Sequence, residues 1–267
     1  MTVFDEDVLD GELALVTGAT GGIGAETSRV LAGMGASLLV TGRDERALRE
    51  LWTELEDIDG GGSVESCRAD ITEASDRAAL VETARDLDEP LSVLVNSAGV
   101  GDHRQAFEDL DHDRLEEVTE VNYTATAKLT QRAYRRMKAC GDGSIVNVSS
   151  LSGLRGTYRH VPYSGSKFAL TGFTHSLAVE AIEHGIRVNA VCPGWVDTEM
   201  GRQGIRDKAE INGVSYERQR ETEESKIPSG RITDPREVGR TIGFLVTDAA
   251  PNIVGESIKI SGGVVLR

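Results

Sequence analysis

Seven largely apolar stretches of strand length alternate with longer segments of helical periodicity along the chain, and that rhythm limits what it can fold into. The strand candidates are "ELALVTG" (12–18), "SLLVTG" (37–42), "VESCRAD" (64–70), "LSVLVNSAG" (91–99), "GSIVNVSS" (143–150), "IRVNAVCPG" (186–194) and "ESIKISGG" (256–263). Helical patterns lie between them near 24–35, 44–57, 73–87, 113–139, 163–183 and 235–247. Strands that are apolar throughout are buried on both faces, and strands separated by helices run parallel. The expected architecture is therefore α/β, a doubly wound parallel sheet of about seven strands with helices on both faces. At 267 residues, 39% of them hydrophobic, the chain is long enough for one such domain over 1–267.

One segment breaks the rhythm. Residues 197–234 are polar, charged and too long for an idle connection in a compact domain. They are expected to form a mobile lid with short helices over a substrate, a disordered surface insertion being the alternative.

Charge and composition exclude some partners. Lys+Arg 29 against Asp+Glu 44 leaves a net charge of −15, a field that repels nucleic acid and anionic membranes, so neither is expected as a partner. No apolar run approaches the roughly 20 residues of a membrane span. The N-terminus, "MTVFDEDVLDG", is acidic where a secretory signal is basic and then apolar, so a soluble cytoplasmic protein is expected. Cys67, Cys140 and Cys192 are far apart and odd in number, and read as small buried hydrophobes. Neither they nor His103, His112, His160, His175 and His184 have metal-ligand spacing, so no metal site is predicted.

"TGATGGIG" (17–24) follows the first strand and opens the first helix. Gly18 permits a tight turn, Gly22 lets the backbone approach a pyrophosphate, and Gly24 lets helix and strand pack closely, while the helix start offers N–H donors to the anion. Thr20 and Ile23 complete the candidate contacts of this turn. A dinucleotide-binding fold usually places an acid on the ribose 2′-hydroxyl at the end of the second strand. Here Gly42 stands at that point and Arg43 follows it. A guanidinium there holds a 2′-phosphate in charge-assisted contact, and the missing acid removes a repulsion, so NADPH/NADP is favoured over NAD. Asp44 leaves a question open, because it can pair with Arg43 or bind a ribose itself.

The glycine turn, "NSAG" (96–99), "VNVSS" (146–150), "YSGSK" (163–167), "VCPGWVDTEM" (191–200) and the closing "IVGESIKISGG" (253–263) together resemble the short-chain dehydrogenase/reductase family, in order through nearly the whole chain. The resemblance implies a Rossmann-type fold with a cofactor half over about 10–150 and a catalytic and substrate half over about 151–267. It also implies that Tyr163 gives or takes a proton. Lys167, one turn later on the same helix face, is expected to bring the phenol's pKa down and to hydrogen-bond the nicotinamide ribose. Ser150, thirteen positions before Tyr163, matches the serine that holds the substrate carbonyl. Strand alternation points Ser149, the near alternative, to the opposite face. Asn122 in "VNYTATA" matches the asparagine of a water-linked proton relay. Among cofactor contacts, Asp70 and Ile71 resemble the adenine end, and Asn96, Ala98 and Gly99 the strand end beside the adenine ribose. Pro193, Gly194, Val196 and Thr198 resemble the segment that orients the nicotinamide.

The implied function is NADP(H)-dependent reduction of a ketone to a secondary alcohol, with Tyr163 as general acid and Ser150 steadying the oxyanion. "VPYSGSK" (161–167) and "IPSGRITDPREVG" (227–239) look most like bacterial ketoreductases of the 3-oxoacyl and polyketide type, and simple or cyclic ketones remain open. Against a carrier-protein substrate, Gly141 and Asp142 stand where such reductases tend to have a basic residue. The cluster "QRAYRRMK" (131–138) reads either as a docking patch or as a solvated helix face. A catabolic alcohol or polyol dehydrogenase working oxidatively with NAD(P) is the alternative. A regulator without catalysis is disfavoured because Asn122, Ser150, Tyr163 and Lys167 are all present. The resemblance further implies a homo-oligomer, tetramer or dimer, built on the helices at 113–139 and 163–183 and the last strand.

Overall fold

The computed structural model describes residues 4–266. The strands follow the predicted order: β1 (Leu13–Thr17), β2 (Ser37–Gly42), β3 (Val64–Arg68), β4 (Leu91–Asn96), β5 (Gly143–Val148), β6 (Ile186–Pro193) and β7 (Ser257–Ile260). The helices are α1 (Gly22–Ala32), α2 (Glu45–Glu56), α3 (Ala74–Asp86), α4 (His112–Thr119), α5 (Thr126–Cys140), α6 (Val161–Ala181), α7 (Glu199–Asn212), α8 (Tyr216–Ser225) and α9 (Pro235–Val246). The sheet is parallel throughout, in the order β3-β2-β1-β4-β5-β6-β7. The chain winds outward from β1 to one edge and then from β4 to the other. The carboxyl ends of β1 and β4 therefore flank the switch point, where open α/β sheets bind ligands.

Alternation along β1 divides the core, with Leu13 and Leu15 facing one side and Ala14 and Val16 the other. Strand register sets Leu39, Leu15, Leu94, Ile145 and Val188 in one row across the sheet, all fully buried. Leu80 of α3, Leu129 and Met137 of α5 and Ala178 of α6 cover that row. Leu31 of α1, Leu51 of α2 and Ile242 of α9 cover Val40, Val16, Val95 and Val146 on the opposite face. Burying each large aliphatic contributes about 1.5–3 kcal/mol, which is why this row holds the sheet flush against its helices.

Two expectations need correction. The helix predicted over 113–139 is interrupted: π-helical turns at Glu120–Ala125 separate α4 from α5. They accommodate Asn122, whose side chain is drawn inward to Val100. The buried state expected of the cysteines holds for Cys192 alone, because Cys67 lies on edge strand β3 and Cys140 at the exposed end of α5. The short helices expected in 197–234 are present as α7 and α8, capped by Thr198 and Ser215 and joined through Gly213, whose φ of 63° lies in the left-handed region.

Candidate active site

β1 runs into the glycine turn and α1. Gly18 has φ 61°, and a Cβ there would lie 2.7 Å from the backbone of Ala98, so it permits both the left-handed turn and the close approach of the end of β4. The Thr17 hydroxyl accepts the N–H groups of Ser97 and Ala98, each at 3.1 Å, which shapes "NSAG" through backbone that serine serves as well as asparagine. A Cβ on Gly22 would fall 2.5 Å from the Thr198 methyl, so Gly22 also seats the segment after β6 against the turn. Gly21, the N-cap of α1, has no side chain to spend on the helix, which leaves first-turn N–H groups for an anion. Thr20 packs beside Gly42, and Ile23 is half-buried against the core.

Arg43 is exposed at the end of β2. Asp44 caps α2, one carboxylate oxygen accepting from Arg46 N at 3.0 Å and Ala47 N at 3.1 Å. A second arginine, which no motif singled out, reaches the same strand end. Arg68 pairs in register with Gly42 and donates Nε to the Arg43 carbonyl at 3.2 Å. Burial pushes the Asp70 carboxyl up, but hydrogen bonds from Thr72 (N at 2.9 Å, Oγ1 at 2.7 Å) and the charges of Arg43 and Arg68 outweigh it and hold the group below its ordinary value. Ile71 beside it is buried. Glycine turn, free N–H donors and paired arginines fit a dinucleotide with an extra phosphate.

Strand alternation sets the orientation of Asn96, which ends β4. Its side chain turns into the core, donating to Thr130 Oγ1 at 2.9 Å and Asn147 Oδ1 at 2.8 Å, so only its backbone is left for a cofactor. Asn147 extends the chain to Thr174 Oγ1 at 2.9 Å. Val196 is buried and bridges Thr233, while Pro193 ends β6 and Gly194 N donates to the Ile260 carbonyl at 2.9 Å.

Beyond β5, Ser150 stands on the side of the Tyr163 phenol, whose pKa it lowers, and its hydroxyl accepts from Ser152 N at 3.1 Å. Ser149 lies on the other side, buried against the Lys167 carbonyl (3.2 Å) and the Thr171 hydroxyl (2.9 Å). Lys167 is buried, donates to the Val148 carbonyl at 2.8 Å, and lies 5.6 Å from the centre of the Tyr163 ring. Asn122 accepts from Val100 N at 2.8 Å and donates to Val100 O at 2.9 Å and Ser166 Oγ at 3.1 Å. A Cβ on Gly99 would lie 3.2 Å from Asn122 Oδ1 and 3.6 Å from Lys167 Nζ, so Gly99 keeps the space between them open.

The expected lowering of the phenol by Lys167 is not what this geometry produces. Burial pushes Tyr163 up to about 12, the Asp102 charge adds to it, and only the Ser150 hydrogen bond opposes. Lys167 is itself pushed down to about 8 by burial. Desolvation favours the neutral form of both groups and here exceeds their mutual attraction.

Other functional groups escaped the sequence. Asp102 accepts from Tyr163 N at 3.2 Å and pairs with His160, whose ring stacks on that of Tyr163 at 4.6 Å and 19°. The tyrosine is thus held at both backbone and ring. Arg104 donates to the Tyr158 carbonyl at 3.0 Å and lies 5.9 Å from the centre of the Trp195 ring. Lys208 of α7 approaches the same ring at 5.4 Å, and Trp195 donates to Glu223 of α8 at 3.0 Å. The only sequence signal for this group was its density of charge in "GDHRQ" (101–105) and in "YRHVPY" (158–163).

A nucleotide cradle beside a Ser–Tyr–Lys group defines a class, dinucleotide-dependent oxidoreductases. The comparisons agree. The short chain dehydrogenase family matches residues 12–209. The chain is 36% identical over 257 residues to cis-4-hydroxycyclohexanecarboxylate dehydrogenase of Sinomonas cyclohexanicum, covering 94% of this chain and 95% of that protein. It is 33% identical over 258 residues to a 3-oxoacyl-acyl-carrier-protein reductase of Rickettsia felis, covering 97% and 98%. A tryptophan variant of actinorhodin polyketide ketoreductase, solved with NADPH, superposes with a TM-score of 0.90 at 34% identity, covering 95% of this chain and 97% of that one. The protein belongs to the short-chain dehydrogenase/reductase family.

Proposed function

We propose that this protein reduces a ketone to a secondary alcohol with NADPH. The observation that carries the reading is buried Lys167, bound to the Val148 carbonyl at 2.8 Å and 5.6 Å from the centre of the Tyr163 ring, at the end of the nucleotide cradle. NADPH, when bound, supplies the hydride. The glycine turn (Gly18, Thr20, Gly22, Ile23, Gly24), Arg43, Asp70, Ile71, the backbone at Asn96, Ala98 and Gly99, and Pro193, Gly194, Val196 and Thr198 hold it. A phenol pushed up to about 12 keeps its proton across neutral pH, so Tyr163 is in the donor form and protonates the carbonyl oxygen. Ser150 donates to the same oxygen and stabilises the charge that develops there. Asn122 and Lys167, with the open space at Gly99, line the path by which water returns a proton. Segment 197–234 roofs the substrate. A 36% identical relative named as a dehydrogenase of a hydroxy acid supports oxidation of an alcohol as the second reading.

The protein is further read as cytoplasmic and homo-oligomeric, dimer or tetramer. Among the described residues no helix is long and apolar enough to cross a membrane. On α6 and the turn after it, Val161, Gly165, Phe168, Gly172, His175, Val179 and Ile182 form an exposed stripe spaced by threes and fours, and no atom would meet a Cβ added at either glycine. That seam suits the same helix of a second copy.

The test is NADPH consumption over a panel of ketones by wild type and Tyr163→Phe. The variant is expected to lose about 10²–10⁴-fold in turnover while binding NADPH normally by fluorescence. Equal turnover in the variant would remove Tyr163 from the chemistry. A wild type that binds NADPH yet reduces nothing, and oxidises alcohols, would favour the second reading.

A further inference from the structure

Arg104 is a half-buried cation without an ion-pair partner among the described residues. Its one hydrogen bond goes from Nη1 to the Tyr158 carbonyl, which leaves most of its five N–H donors unused. Burial pushes the guanidinium below its ordinary value even though Asp102, Glu223 and Asp207 oppose that change. Each of these acids is already engaged. Asp102 holds His160 and Tyr163 N, and Glu223 takes Lys208, Lys226, Gln219 and Trp195. Asp207 accepts from Gln203 at 2.7 Å and stands 3.8 Å from His103. Lys208, the other cation near the Trp195 ring, is neutralised by Glu223 at 2.8 Å, so among the described residues Arg104 is the cation there without an ion-pair partner.

Two of the segments around Arg104 also lead to Tyr163. Asp102, two residues earlier, bonds the Tyr163 backbone. Tyr158 lies on the loop leading into α6, and Trp195 follows Gly194 at the end of β6. The Trp195 ring gives an apolar platform between the guanidinium and the roof of α7 and α8. A small molecule lying on that ring, with its carbonyl at Tyr163, would carry its far end to Arg104.

We propose that Arg104 binds a carboxylate on the substrate itself, so that the ketones reduced here are oxo acids. The proposal rests on the ketone-reduction reading. A planar carboxylate matches the fork of a guanidinium and gains charge-assisted hydrogen bonds in a site where water competes poorly. A coenzyme A phosphate is the other anion with this chemistry. Carboxylate is favoured because Arg104 bonds the loop that leads into α6 and follows by two residues the Asp102 that holds the Tyr163 backbone.

The experiment uses the whole protein and 4-oxocyclohexanecarboxylate, its methyl ester and acetoacetyl-CoA, with wild type, Arg104→Gln and Arg104→Lys. Wild type is expected to show kcat/KM at least about tenfold higher for the acid than for the ester. Arg104→Gln should lower the value for the acid about 10- to 100-fold, mainly through KM, with Arg104→Lys between them and the ester within about twofold. Equal use of acid and ester by wild type, or equal losses on both in the variant, would overturn the proposal. A loss confined to acetoacetyl-CoA would assign the contact to a phosphate and overturn it too. Calorimetric titration of NADP-loaded enzyme with cyclohexanecarboxylate and with its amide separates the two readings. Arg104-dependent binding of the acid by a protein that reduces no ketone would sink ketone reduction and leave the subsite standing. Binding of the acid no tighter than the amide would sink the subsite.

Discussion

Tyr163 and Lys167 move in opposite directions for the same reason: each loses hydration, and each therefore favours its neutral form. The sign of the pH dependence follows. Between about 8 and 10.5 the unfolded chain keeps a proton on Lys167 that the folded protein gives up, so stability rises with pH across that window. Tyr163 does the reverse above 10, where the folded protein holds its proton up to about 12 and stability falls. Calorimetry of the cofactor-free protein should show the rise from pH 8 to 10 and should show it flattened in Lys167→Met. A wild-type curve flat over that range would mean the ammonium is better solvated than its burial implies. At the far end of the nucleotide, Arg43→Ala should raise KM for NADPH about tenfold or more and leave NADH within about twofold; equal effects would remove the reason for choosing NADP. Tyr163, Lys167 and Ser150 were legible in sequence because they lie on one turn of one helix and just past one strand end. Asp102, His160, Arg104 and Arg68 were not, because each acquires its role from a partner distant along the chain or across a strand pair.

Periodicity located the five inner strands and the main helices, since a strand buried on both faces leaves a continuous apolar run, whereas the edge strands β3 and β7 are partly exposed and carry polar residues. It could not locate the π-helical turns at Glu120–Ala125, because one residue inserted in a helical pattern barely changes the pattern. Nor did it foresee that Gly22 makes room for Thr198, a contact between the first helix and the segment after β6. The entry to α9 carries its own prediction. Asp234 and Glu237 form a capping box, and Arg231 holds Glu237 with two bonds of 2.6 Å that bring its carboxyl down to about 2. Asp234→Ala is expected to cost about 1 kcal/mol, a fall of roughly 2–4 °C in Tm. The support from Glu237 is present above its ordinary value of 4.5 and is lost as pH falls toward 2, so an unchanged Tm at pH 7 in Asp234→Ala would show that packing alone holds this end of the helix.

The whole molecule carries −15 and folds against its own repulsion. Raising KCl to about 1 M shortens the Debye length to about 3 Å and should raise Tm; a fall would mean that ion pairs such as Lys208–Glu223 outweigh the net field. The two sides of α6 join this scale to the chemistry. Tyr163 and Lys167 occupy its inner side, and the exposed seam from Val161 to Ile182 occupies the outer one. If copies meet along that seam, a single rigid rod carries the reacting phenol on one flank and its neighbour's weight on the other. Specific activity would then climb with enzyme concentration, and abundance itself would govern output, a control that needs no effector and disappears in a dilute assay.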